Sequence, residues 1–119
     1  MKRTLIFSTL FFGVVFASVH GFALVHKWYY AYHFLDTVMH TLGGAWVALA
    51  SITFLPTQYN RATIILALVL LSGIAWEFFE LAIGNILLST KHYWADTFSD
   101  TCANLVGGII MFFLIYKRK

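Results

Sequence analysis

The residues able to do chemistry here are few and are grouped. The 119-residue chain has five acids, Asp36, Glu77, Glu80, Asp96 and Asp100. Two begin related windows, "DTVMHTLGG" at 36–44 and "DTCANLVGG" at 100–108, which share Asp, Thr and a Gly-Gly pair. His40 in the first window stands where Asn104 stands in the second, and "WEFFE" adds Glu77 and Glu80. Acid and imidazole pairs at i,i+3 and i,i+4, projecting inward from several helices, are how di-metal carboxylate bundles are built. On that pattern the candidate ligands are Asp36, His40, Glu77, Glu80, Asp96 and Asp100. Asn104 is a further ligand or a support to the ligands, and His33 extends the first stripe. Oxygen-rich ligation with an imidazole suits a divalent cation (Mg²⁺, Mn²⁺, Zn²⁺ or Fe²⁺) and disfavours Cu(I). If the site is catalytic, Glu77 or Asp100 is the candidate general base toward a metal-bound water. No serine or cysteine pairs with a suitable base, so nucleophilic catalysis is unsupported.

The surroundings of these acids are apolar. The chain is 61% hydrophobic and 11% charged, with a mean hydropathy of +0.79, whereas soluble domains carry about a quarter charged residues. Segments at roughly 4–25, 31–55, 62–88 and 94–116 are each long enough to cross a ~30 Å hydrocarbon layer at about 1.5 Å per helical residue. The breaks between them read "HKWYY", "PTQYNR" and "STKHY", and the only proline, Pro56, lies in the second. Without water to satisfy the backbone, helices are the plausible spans. The expectation is an all-α fold: one integral membrane domain over 1–119, built as a four-helix transmembrane bundle. The opening "MKRTLIFSTLFFGVVFAS" has the basic start of a secretory signal. Its apolar run is longer than a usual signal core of about 7–15 residues, and "ASVHG" is a poor cleavage site, so it reads as an uncleaved anchor.

Orientation follows from the basic residues. Lys2, Arg3, Arg61, Lys117, Arg118 and Lys119 fall on one side, and only Lys27 and Lys91 on the other. The positive-inside rule puts both termini in the cytoplasm. Trp28, Tyr29, Tyr30 and Tyr32 at one outer turn, with Tyr93 and Trp94 at the other, mark the opposite headgroup level. The net charge of +3 comes mostly from the inner residues, which implies contact with membrane lipids rather than nucleic acid. Cys102 is the single cysteine; it allows no internal disulfide and reads as a small packing residue.

All five acids then fall inside, or at the outer edge of, a predicted membrane helix, and none in a cytoplasmic loop. An aspartate at mid-helix costs roughly 2.5–3.5 kcal/mol even on the mildest scale, so such residues face the bundle interior and usually mark function. Helical spacing gives three stripes: His33, Asp36, His40 and Gly43/Gly44; Gly73, Glu77, Glu80 and Gly84; and Asp96, Asp100, Asn104 and Gly107/Gly108, which His92 would extend. Each stripe contains glycine, which lets membrane helices approach closely. The acids therefore point inward and gather in the outer half of the membrane. His20 and His26 fall outside the stripes and read as interfacial or core residues. The repeated windows suggest two helical hairpins related by a two-fold axis along the membrane normal, with chance recurrence as the alternative. No lysine or arginine sits within a span, although Lys27 and Lys91 could bend back to one or two acids. Three readings of the crowded carboxylates stay open: a bound cation, protonated or hydrogen-bonded acids, and purely structural interhelical bonding.

"DTVMH", "WEFFE" and "DTFSDTCANLVGG", in this order and helix context, give the chain a resemblance to small bacterial VanZ-like membrane proteins and the related YjdF-like inner-membrane proteins over roughly 32–108. The resemblance implies a multi-pass protein of the bacterial cytoplasmic (inner) membrane and, through the VanZ-like name, a link to glycopeptide resistance; it implies no established reaction. The leading expectation is a site below the outer face that binds a divalent cation and acts on a lipid or other cell-envelope component. The rivals are a proton- or cation-translocating homo-oligomer and a non-catalytic envelope or antibiotic-resistance accessory protein.

Overall fold

The structure, a computed structural model, describes residues 1–82 and 93–116. All regular structure among these residues is helical: α1 Lys2–Val25, the single turn α2 Trp28–Ala31, α3 Phe34–Phe54, a 3₁₀ turn Thr57–Tyr59, α4 Ala62–Ala82 and α5 Tyr93–Tyr116. Four of the helices are long and apolar enough to cross a membrane, and the bundle measures 45 × 27 × 21 Å. The expected four-helix architecture is thus observed. The expected end of the third span, together with Gly84, Lys91, His92 and the three basic residues at 117–119, lies outside the described residues.

One boundary differs from expectation. The second span begins at Phe34 rather than at residue 31, because Tyr32 adopts a non-helical backbone (φ −128°, ψ 89°). Before it, Lys27 takes a left-handed conformation (φ 55°) that turns the chain from α1 into α2. At the other end of α3, Leu55 and Pro56 are extended. Proline disfavours helical geometry in the residue before it and stops the helix there.

Helix direction follows from which ends meet. The start of α3, the end of α4 and the first half of α5 share one end of the bundle, where His40 approaches Asp36, Glu77 and Asp100. The starts of α1 and the ends of α3 and α5 share the other, around Met1, Leu5, Leu49 and Ile115. Hence α3 and α5 run parallel, and α1 and α4 run against them. Lys2 lies at the far end near Pro56 and Asn60, away from the acids.

The α3–α5 pair forms the most extensive interface, α4 packs on both, and α1 packs chiefly on α3. Lipid supplies no hydrophobic drive between helices, so close van der Waals fit must hold them. The repeated Gly-Gly pairs provide that fit. A Cβ on Gly44 would lie 1.8 Å from the Asn104 carbonyl oxygen, and one on Gly107 1.8 Å from that of Thr41. The two windows therefore pack against each other, backbone to backbone. Toward the far end, Ala48, Ile52, Ile65, Val69 and Phe112 form the apolar core. On the α1 side the ties are few: the Thr9 and Thr53 hydroxyls share a 2.9 Å hydrogen bond, and the Trp46 indole N–H donates to the Thr9 carbonyl at 3.0 Å. Helix α1 buries only Thr9 and Ala23. Its exposed Phe7, Leu10, Phe11 and Val14 form a lipid-facing surface. Cys102 is also exposed, so it faces outward from α5 rather than packing inside the bundle.

Candidate functional site

The acids meet because three helices bring different depths to one level. Asp36 lies in the first turn of α3, about 3 Å along its axis, whereas Asp100 lies about 10 Å into α5. The α5 helix therefore starts higher, and its buried face at Asp100 descends to meet Asp36. From α4, Glu77 and Glu80 occupy the stripe Ile65, Val69, Gly73, Glu77 and Glu80, all buried.

His40 is the centre. Its Nε2 lies 3.7 Å from Asp36 Oδ1, 3.6 Å from Glu77 Oε1 and 3.7 Å from Asp100 Oδ2. Asp36, His40 and Asp100 offer ligand atoms all within 4.8 Å of one another, and so do His40, Glu77 and Glu80. His40, Glu77, Glu80 and Asp100 are each at most 7% exposed. Asp36 is half-buried. Among the described residues no lysine or arginine pairs with these acids, and Lys27 in particular does not bend back to them.

The separations have chemical meaning. Hydrogen bonds would bring such atoms to about 2.7–3.2 Å. Four ligands at about 2.0–2.2 Å from a zinc-like ion instead define tetrahedron edges of about 3.3–3.6 Å. The spacing around His40 resembles the second. Among the described residues, His40 Nε2 and Glu77 Oε1 are both buried without a hydrogen-bond partner, a condition that is costly unless something binds them. The other oxygen of Glu77 is fixed: the Thr97 hydroxyl donates to Oε2 at 3.0 Å, which turns Oε1 toward His40. Such outer hydrogen bonds orient metal ligands in known centres.

The remaining expected site residues are placed differently. Asp96 is exposed and belongs to neither group of converging ligand atoms. The buried positions of α5 are Tyr93, Asp100, Asn104, Gly107, Gly108 and Phe112, a spacing that centres the inner face on Thr97 and leaves Asp96 at its edge. His33 precedes α3, exposed, with no side-chain capping bond. Asn104 is buried one turn below the cluster, where its amide donates to the Val69 carbonyl at 2.6 Å. Gly73 makes room for it, since a Cβ there would lie 2.7 Å from Nδ2. Asn104 thus ties α5 to α4 beneath the acids.

Three participants were not evident from the sequence. Thr97 could have been found, since it lies three residues before Asp100 on the same face. His20 and Tyr29 could not, because neither α1 nor the turn α2 carries an acid stripe to align with. The His20 Nδ1 and the Tyr29 hydroxyl are 2.6 Å apart, and the His20 ring rests edge-on against Trp76, with centroids 5.2 Å apart. The Tyr29 phenol is pushed up to about 12 by burial first and then by the charges of Asp36 and Glu80, so it stays a neutral donor. His26 is exposed and lies tilted against Phe22, with ring centroids 4.0 Å apart.

Beside the cluster, among α1, α3 and α4, opens a cavity of about 180 Å³. Asp36, His40 and Glu80 reach it from the cluster, and His20 and Tyr29 from the α1 side. A ligand seated there would meet carboxylates and imidazole on one wall and a phenol on another.

No curated protein and no solved structure gives a significant match to the chain. A family profile described as "Predicted membrane protein (DUF2238)" matches residues 2–119, which supports the YjdF-like side of the resemblance and does not extend to the VanZ-like one. With four helices fit to cross a membrane and a match along nearly the whole sequence, the chain belongs to the DUF2238 family of membrane proteins.

Proposed function

We propose that the protein binds a divalent cation at the end of the bundle where α3, α4 and α5 converge, and that this centre acts on a component of the cell envelope. The observation that carries the reading is His40 Nε2, buried, without a hydrogen-bond partner among the described residues and 3.6–3.7 Å from carboxylate oxygens on its own and two other helices. That is too far for hydrogen bonds and close to the edge length of a coordination polyhedron. His40, Asp36, Glu77 and Asp100 would hold the ion, with Glu80 beside them. Asp96 is the candidate least supported. A bound cation would supply the positive charge that the crowded carboxylates lack and would polarise an oxygen of the component acted on. Glu77 or Asp100 would be the candidate general base, the one not used as base then holding the ion with Asp36 and His40. Thr97 holds Glu77 in orientation, and Asn104 holds the helices beneath.

With the basic residues cytoplasmic, this centre faces the exterior leaflet of the bacterial inner membrane. Translocation of protons or cations is less well supported, because the acids are confined to one end of the bundle and none continues the path toward the other.

The test is elemental analysis of the protein purified in detergent, beside Glu77→Gln and Asp100→Asn. Near-stoichiometric divalent metal in the native chain, lost from both variants, is expected. A native chain free of metal whose melting is indifferent to chelator overturns the proposal.

A further inference from the structure

The cavity beside the cluster points to the class of envelope component. Beyond its polar end it continues inward along Phe16, Met39, Trp46 and Val47, with Gly43 in one wall. An engineered apolar cavity of about 150 Å³ holds a benzene molecule, and such cavities stay dry. At about 180 Å³ this one has room for part of an alkyl chain, not for a whole drug-sized ligand, which takes about 300 Å³ or more. The rest of any ligand must lie outside it. The way out is set by packing. Helix α1 packs on α3 but makes no extensive contact with α4, and the described seam between α1 and α4 is bridged at its headgroup end by His20 against Trp76. In a bundle embedded in the bilayer, a seam between two outer helices opens sideways to lipid.

We propose that the cavity takes the alkyl chain of a membrane lipid, which enters sideways between α1 and α4, with the lipid's polar head at the carboxylate–imidazole cluster. This rests on the cluster being the polar end of a site that acts on an envelope component, and it names that component as a lipid. A water-soluble ligand would need to pass the buried acids to reach apolar walls; a chain already in the bilayer needs only to slip between two helices that do not interlock. Gly43 keeps the space open. A Cβ there meets nothing closer than Phe16 Cζ at 3.5 Å and Asn104 Oδ1 at 3.8 Å, so a larger side chain grows into the cavity without moving the backbone. Ser72 offers a second plug from α4, because its hydroxyl serves only the Val69 carbonyl of its own helix.

The test uses the full chain in phosphatidylethanolamine–phosphatidylglycerol vesicles containing a trace of lipid with a photoreactive diazirine near the chain end, with labelled residues mapped by mass spectrometry. The expected result is label on Phe16, Met39 and Val47 as well as on the lipid-facing Phe7, Phe11 and Leu71. Gly43→Val and Ser72→Leu should each abolish the first set and leave the second. Label confined to the lipid-facing set in the native chain, or cavity label unmoved by both variants, overturns the proposal. Metal content of the same samples separates the two readings. Metal without cavity label sinks the lipid site and spares the cation; cavity label without metal does the reverse.

Discussion

Adjacent glycines on α3 give the sharpest test of how the fold builds the site. In Gly44→Ala the new methyl would lie 1.8 Å from the Asn104 carbonyl oxygen and 2.6 Å from its carbon. Ordinary carbon–oxygen contact is about 3.4 Å, so α3 and α5 must part by about 1.6 Å. Both clashing atoms are backbone, and no rotamer change relieves them. Overpacking of this kind costs about 1–3 kcal/mol or more, set against the ~1 kcal/mol by which alanine favours a helix over glycine. Gly43→Ala meets nothing closer than 3.5 Å and keeps that gain. The propensity gain is common to both variants, so unfolding in detergent should find Gly44→Ala about 1–3 kcal/mol less stable than Gly43→Ala. Because the same displacement carries Asp100 away from His40, Gly44→Ala should also lose metal while its neighbour retains it. Equal stability and equal metal content in the two variants would refute the claim that the glycine contact sets the site's geometry.

Two further outcomes can be measured. Thr97→Val removes the hydroxyl that holds Glu77 Oε2 and should weaken metal binding about 10- to 100-fold in a competition titration. Thr101→Val, whose hydroxyl serves only the Thr97 carbonyl in its own helix, should leave affinity unchanged. For Tyr29, a folded-state value of about 12 against 10.0 unfolded means that the folded chain holds a proton the unfolded chain has lost. This contribution to stability is complete below pH 10 and fades as pH rises through 12. In absorbance titrations one phenol should lag in alkali, and Tyr29→Phe should remove that late fraction; persistence of the lag would show that the wrong tyrosine was assigned.

Much of this protein could be read from residue order. The helical class, the four spans, the inward stripes and the meeting of Asp36, His40, Glu77, Glu80 and Asp100 follow from one fact: lipid penalises charge, so periodic acids must face one another. The glycines marked in the same way the faces that pack closely, though not which two of them meet backbone to backbone. Tertiary structure alone decided what depends on the phase of a helix and on partners distant in sequence. It placed Asp96 at the edge of the α5 face and Thr97 within it, because the packed face is fixed by Tyr93, Gly107, Gly108 and Phe112 together and not by the acids. It turned Asn104 to the Val69 carbonyl. It also brought His20 and Tyr29 beside the site, since α1 leans on α3 through Thr9 and Trp46 and leaves the seam to α4 open. Periodicity says which side of a helix faces inward, but only the packed neighbours determine how far round that side extends and where a space remains.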